Sequence, residues 1–592
     1  MRILSAAIIL VLAGCGPKAD GPGAARPTVP EAALNAISGD QLLADIKILA
    51  SDSFLGRGPG TLGEDRTVEF LEREFRAIGF EPGNPDGSFI QKVPLVGITP
   101  DPASTLVVYR GGEARTLRFR DDVVAWTRHV SDVAVRNSEM VFVGYGVQAP
   151  EYNWDDFKDL DAKGKTLVML VNDPPVPDPN NPSGLDSTVF GGKAMTYYGR
   201  WTYKYEQGMR HGADAVILIH ETEPAGYPFT VVQGMGGERF NIIGPDNNAS
   251  RSKIEAWITL EQAKSLLSLA GQDFDQLKAR AATREFAPVP LGLTASMNLK
   301  STRRTVESRN VIAKLTGSDP VGRDEYVIYT AHWDHFGVGA AINGDSIYNG
   351  AFDNATGTAA LLAFARAFKA LPTPPRRTVV MLAGMAEEQG LLGSQYHAER
   401  PLYPLAQTVA NINVDGVNVD GRTSDVTVIG LGASELDDEV QAAAAIQKRT
   451  VRPDAEPEKG YYYRSDHFNV AKVGVPALYT DGGVDFVGES PDYGTKARER
   501  YIAEDYHKPS DEVKPFWRMD GAVDDLRLLL KIGYWLAESD RFPEWRPGNE
   551  FKPARDAQRP PPCFISPSQR QEPRLALRLP GRLARPERAR LG

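Results

Sequence analysis

Six residues dispersed over the second half of the chain, His332, Asp353, Glu387, Glu388, Asp415 and His507, suit one kind of chemistry. Together they supply a carboxylate able to bridge, further carboxylates and two imidazoles, the donor set that a pair of divalent cations needs. His332 is followed two residues later by Asp334, close enough to accept the ring N–H that would not face a cation and so to fix the tautomer. Asp353 lies among small residues in Asn349-Gly350-Ala351-Phe352-Asp353-Asn354-Ala355-Thr356-Gly357, just before a helical run. It reads either as a plain N-cap or as a carboxylate using both oxygens to bridge two ions. In Glu387-Glu388 the adjacent side chains leave the backbone in different directions, so one can ligate while the other faces water as general base. A helix-dipole role at an N-terminus is the other reading of that pair. With only Cys15 and Cys563 in the chain, and Cys15 expected to carry lipid, no internal disulfide is expected and thiolate ligation is excluded, which leaves oxygen and imidazole nitrogen as ligands.

The elements around these residues alternate between strand and helix. Asn310 to Leu315, Glu325 to Ala331, Thr378 to Ala383, Thr408 to Val414 and Val475 to Thr480 read as strands, and Ala355 to Leu371, Gly390 to Arg400, Ser434 to Lys448 and Gly521 to Ser539 as helices. That pattern predicts an α/β fold, a mostly parallel sheet flanked by helices. His332, Glu387, Glu388 and Asp415 each follow a strand end, where such sheets place ligands. Upstream, Gly39 to Leu49 carries Leu42, Leu43, Ile46 and Leu49 at helical spacing, and a second helix after Gly63 is closed by Gly79. Between about Ser131 and Pro288 the texture changes to short β-type runs. There, Gly144-Tyr145-Gly146 and Tyr152-Asn153-Trp154-Asp155-Asp156 resemble the start of a protease-associated domain, a β-rich lid inserted in many exopeptidases.

His332-Trp333-Asp334-His335, Gly350 to Gly357, Glu387-Glu388-Gln389-Gly390, Asn413-Val414-Asp415 and Tyr506-His507 resemble the motif series of the M28 family of zinc metallopeptidases. The resemblance implies a phosphorylase/hydrolase-like zinc exopeptidase fold with two zinc ions, one held by His332, Asp353 and Asp415 and the other by Asp353, Glu388 and His507. It implies Glu387 as the base, Asp334 as the residue orienting His332, and a water shared by the ions as nucleophile. The expected activity is that of an aminopeptidase removing N-terminal residues from short peptides. A carboxypeptidase, a glutaminyl-cyclase-like transferase and an inactive peptide-binding receptor remain as alternatives. A carboxypeptidase needs arginines to clamp a free carboxylate, and Arg464 is the candidate in sequence.

Ser465-Asp466-His467 invites a serine-hydrolase reading, but three neighbours in sequence do not easily form a relay and no Gly-x-Ser-x-Gly elbow accompanies them. Ser465, Asp466, His467, Tyr463 and Asn354 are expected instead in the wall of the site or behind its ligands.

The remaining features concern organisation. The 592 residues suit several domains: a signal peptide over 1–15, a linker over 16–30, an N-terminal part of the peptidase domain over 31–130, the inserted domain over 131–290, the catalytic domain over 291–550 and a disordered tail over 551–592. Arg2, the apolar run Ile3 to Val11 and Leu12-Ala13-Gly14-Cys15 match the signal at which bacterial lipoproteins are cut and lipidated, so Cys15 is the expected anchor. The expected location is a bacterial envelope membrane, on its periplasmic face. The net charge of −10 hides a basic tail: residues 551–592 carry ten Lys/Arg against three Asp/Glu, a net of +7 that leaves −17 for the rest. Lacking apolar periodicity, that tail reads as disordered rather than as a nucleic-acid arm, so the expected partners are peptides and a membrane.

Overall fold

The computed structural model describes residues 26–234 and 237–559. Cys15, the leader and residues 560–592 lie outside the described residues, as does most of the linker. Among the described residues no helix is long and apolar enough to cross a membrane.

Two helices open the fold as their periodicity predicts. Gly39–Leu49 is capped by Ser38, whose Oγ accepts from Gln41 N at 3.4 Å, and buries Leu42, Ile46 and Leu49. Leu62–Ile78 buries Val68, Leu71 and Phe75 and ends where Gly79 turns left-handed at φ 92°. Each large apolar side chain so buried contributes about 1.5–3 kcal/mol. Both helices share a core with Thr356–Lys369, which is buried along most of its length.

The principal sheet has ten strands, in the order 239–242, 90–100, 301–315, 378–384, 326–332, 408–413, 477–481, 425–429 and 450–453, with 81–82 also paired to 301–315. The mostly parallel sheet expected from sequence is therefore mixed. Its central four strands, 378–384, 326–332, 408–413 and 477–481, are parallel, while 90–100 and 301–315 form an antiparallel ribbon on one side and 425–429 runs antiparallel to 477–481 on the other. The chain leaves the sheet along 90–100, touches its edge again at 239–242 and re-enters along 301–315.

What lies between is a second unit around an eight-stranded sheet, in the order 113–117, 105–110, 289–299, 133–142, 166–170, 215–220, 254–259 and 123–126. Strands 105–110, 113–117 and 123–126, expected in the N-terminal part of the peptidase domain, pair within this sheet, whereas 239–242, expected in the inserted domain, pairs with 90–100 of the principal sheet. The inserted unit is itself α/β, with three parallel pairings and helices Trp201–Arg210, Leu260–Leu269 and Phe274–Ala281. Its apolar core continues into Tyr463, Phe468, Trp545 and Phe551 of the catalytic unit, which seats one on the other. The first residues of the expected disordered tail are folded instead: Phe551 is buried, Lys552–Gln558 is helical, and buried Arg555 donates to Leu405 O and Thr408 O at 3.0 Å each.

Candidate metal centre

Strand register brings the site together. Tyr326–His332 ends on His332, which stands level with Gly384 of one parallel neighbour, while Thr330 stands level with Asn413 of the other. The Glu387-Glu388 turn and Asp415 therefore leave the same edge of the sheet as His332, each within a few residues of its strand end.

Asp353 arrives from the opposite side, in the loop before Thr356–Lys369. The helix cap falls to its neighbour: Asn354 Oδ1 accepts from Gly357 N at 2.7 Å and from Gly416 N at 3.1 Å, while Asn354 Nδ2 donates to Val414 O at 3.1 Å. Asp353 is thereby left free of that capping role. Its main chain is pinned by Asp511, whose carboxylate accepts from Phe352 N at 2.9 Å and Asp353 N at 3.1 Å.

The donor atoms fall around two points. His332 Nε2 lies 3.3 Å from Asp353 Oδ1 and 3.2 Å from Asp415 Oδ1. His507 Nε2 lies 3.3 Å from Asp353 Oδ2 and 3.3 Å from Glu388 Oε2. Zinc with tetrahedral bonds of about 2.0–2.1 Å sets its donors about 3.3 Å apart, so the residues fit two such ions sharing Asp353. His335 also comes close enough to Asp353 and Glu388 to complete a group of three donors. Its Nδ1, however, is 2.6 Å from Glu388 Oε1, a direct hydrogen-bond distance to the oxygen turned away from His507. His507 is the better match to a ligand, and His335 to a residue that fixes Glu388.

Glu387 reaches to 4.0 Å from His332 Nε2 without belonging to either group of donors. Asp334 sits behind His332, with its main-chain oxygen 3.2 Å and its Oδ1 3.7 Å from His332 Nδ1. The ring's nearer acceptor is thus the Asp334 carbonyl, not the carboxylate expected from sequence. Ser465 Oγ donates to Asp415 Oδ2 at 2.6 Å and accepts from Asn413 Nδ2 at 2.7 Å. Asp466 is buried against Gly384, and burial first, opposed by His332, lifts its carboxyl to about 6. His467 packs between Tyr462 and Tyr479 and burial pushes it down to about 3, while Tyr463 donates to Glu550 at 2.8 Å in the core between the units.

The electrostatics call for cations. Burial and then Asp415, Glu388 and Asp466 lift the Glu387 carboxyl well above its usual range, against the pull of His332. Burial and Asp353 do the same to Glu388. Burial would raise Asp353 too, but contact with His332 and His507 holds it well below the carboxylate range. Burial would lower His332, yet Asp415 and Glu387 outweigh it and hold the ring well above its ordinary value. Two imidazoles do not offset this many buried carboxylates, whereas divalent ions do.

Arg57 and Asp511 had no role in the sequence reading. Arg57 is fully buried beneath the site and donates to Trp333 O at 2.7 Å, Leu49 O at 2.8 Å, Asn349 O at 2.6 Å and Gly350 O at 2.8 Å. It joins the N-terminal helices to both ligand loops, and burial pushes its guanidinium down to about 10 against the pull of Asp511 and Asp334. Its sequence signal was a setting between Gly56 and Gly58, where a Cβ on Gly56 would come within 2.4 Å of Tyr348 O.

Residues 310–526 match the model of Peptidase family M28. That stretch includes His332, Asp353, Glu387, Glu388, Asp415 and His507. A probable zinc metalloprotease of Pyrenophora teres f. teres is 35% identical over 134 residues, 21% of this chain and 25% of that protein. Aminopeptidase NAALADL1 of Mus musculus is 34% identical over 131 residues, 21% of this chain and 16% of its own length. The chain thus spans a quarter or less of the length of these curated relatives. Among solved structures, an aminopeptidase from Aneurinibacillus sp. strain AM-1 aligns over 88% of this chain and 97% of its own at 18% identity, with a TM-score of 0.46.

Proposed function

We propose that the chain is a di-zinc exopeptidase, an aminopeptidase acting on short peptides. The observation that carries this reading is the pairing of two imidazoles, each about one zinc-ligand spacing from a different oxygen of Asp353 and from a second carboxylate. His332, Asp353 and Asp415 would hold one ion and Asp353, Glu388 and His507 the other. Ions held there would polarise the peptide carbonyl and lower the pKa of the attacking water.

The protein's own groups do the rest. Glu387, 4.0 Å from His332 Nε2 and outside both groups of donors, takes the water's proton and returns it to the departing amine. The water oxygen bonds to the carbonyl carbon as the C–N bond breaks, and no covalent enzyme intermediate is needed. Ser465 and Asp334 hold Asp415 and His332 in place. The inserted unit, in this reading a protease-associated lid, narrows access to the cleft. The leader and Cys15 support export and lipid anchoring at the bacterial envelope.

The test is zinc content together with hydrolysis of leucine p-nitroanilide. Two zinc ions per chain and activity lost to a chelator support the enzyme, and peptide binding without turnover supports a receptor. For the anchor, labelling with a fatty-acid analogue should mark the wild type and spare Cys15→Ser.

A further inference from the structure

The metal centre is least covered at His507. Its side chain is 34% exposed, against 1% for His332, so a peptide approaching the ligands meets the His507 side first. Two aromatic rings flank that histidine. Tyr506 stacks on it with ring centroids 3.7 Å apart and planes at 28°, and Phe336 meets it edge-on at 4.7 Å and 61°. Both rings keep a large share of their surface in solvent, 44% for Tyr506 and 37% for Phe336.

Phe336 is fixed by its sequence neighbours and not by burial of its own ring. His335, just before it, is buried with Nδ1 2.6 Å from Glu388 Oε1. Gly337, just after it, is wedged against the 52–57 turn that carries Arg57: a Cβ on Gly56 would come within 2.6 Å of Gly337 O, and one on Gly58 within 3.1 Å of Gly337 Cα. The chain then makes a hairpin of its own, Gly337–Ile342 paired antiparallel with Asp345–Tyr348, which joins neither large sheet. Tyr348 returns beside Phe336, with ring centroids 6.1 Å apart, and its hydroxyl donates to Ala340 O at 2.9 Å. Val338 and Ile342 on the same hairpin are exposed as well.

An aromatic ring whose backbone is held on both sides, yet whose surface is left in water against a ligand histidine, has the character of a substrate contact: apolar surface beside a polar cluster is what a binding cleft presents. Aromatic faces also attract cations, but a cationic side chain seated here would lie beside the divalent ions that His507 helps to hold, and their charge disfavours it. We propose that Phe336, together with His507 and Tyr506, forms an aromatic seat for an apolar side chain of the substrate, carried by one of the two residues that flank the scissile bond. This rests on the peptidase reading and narrows it to peptides that are apolar at that residue.

The experiment compares Ala-Gly-Gly, Leu-Gly-Gly and Ala-Leu-Gly on the zinc-loaded full chain. At least one of the leucine peptides should exceed Ala-Gly-Gly in kcat/KM by about 10- to 100-fold, mainly through KM. In Phe336→Ala that ratio should fall towards one, and Phe336→Tyr should retain it; the peptide whose ratio falls assigns the seat to the residue before or after the scissile bond. Because the ratio is taken within each variant, a general loss from a shifted His507 cancels. Equal handling of the three peptides by the wild type would overturn the seat without relying on any variant. So would a leucine preference undiminished in Phe336→Ala, or faster cleavage when lysine replaces the leucine. Leucine p-nitroanilide tests the peptidase reading separately. If neither it nor any peptide is cleaved, calorimetric binding of the same three peptides still decides the seat, and equal affinities would overturn it.

Discussion

Asp334 Oδ1 accepts a hydrogen bond from the main-chain N–H of Glu387 at 2.9 Å. The residue that stands behind His332 therefore also sets the backbone from which Glu387 projects. One aspartate couples the position of an imidazole donor to that of the Glu387 carboxylate 4.0 Å from it, and the other Asp334 oxygen has no hydrogen-bond partner. Small displacements of Asp334 would reach both groups at once.

Replacing Glu387 by Gln keeps the shape and removes the proton acceptor. Turnover of leucine p-nitroanilide should fall by about 100- to 10,000-fold while zinc content is unchanged. Unaltered turnover would remove Glu387 from the reaction.

Asp353→Ala should strip both ions, because each histidine shares its point with one Asp353 oxygen. Elemental analysis after dialysis reads this directly, and two ions retained would show that Asp353 bridges nothing.

Ser465→Ala frees Asp415 Oδ2 and leaves Asn413 Nδ2 without its acceptor. Loss of such support behind a ligand typically costs about 10- to 100-fold in metal affinity or activity. Competition with a zinc chelator should show the loss on one ion before the other.

Arg57→Met would orphan four carbonyl groups that Arg57 now satisfies. Stability of the metal-free protein should drop by about 3 kcal/mol or more in denaturant unfolding. A change within about 0.5 kcal/mol would mean that water replaces the guanidinium.

His397 offers a pH test away from the ligands. Burial pushes it from 6.5 down to about 4. Its folded value lies below its unfolded one, so the unfolded chain binds the extra proton between about pH 6.5 and pH 4 and stability falls as the pH drops through that window. The slope from one such group is at most about 1.4 kcal/mol per pH unit. His397→Gln should flatten the decline of Tm with falling pH relative to wild type, and parallel curves would argue against a neutral buried ring.

The sequence made half of the ligand cluster legible because some members lie at or just past the ends of short apolar strands, and parallel strands deliver their C-terminal ends to one edge. His332, Glu387 and Asp415 needed no more than that. Asp353 was ambiguous, since an N-cap and a bridge look alike until Asn354 is seen to take the cap. Arg57 and Asp511 act through contacts with main-chain groups distant in sequence, which leave no periodicity to read. The antiparallel ribbon escaped for a similar reason: partners such as Lys92 and Arg309 are separated by the whole inserted unit.

Pro100 and Ser301 face each other as register partners across that ribbon. The two ends of the inserted unit are therefore neighbours, and a tight turn could join them without disturbing a central strand. A shortened chain of that kind would keep its catalytic edge but bare the aromatic surface of Tyr463 and Phe468, so solubility, rather than assembly of the sheet, would set the limit on trimming the molecule to its minimum.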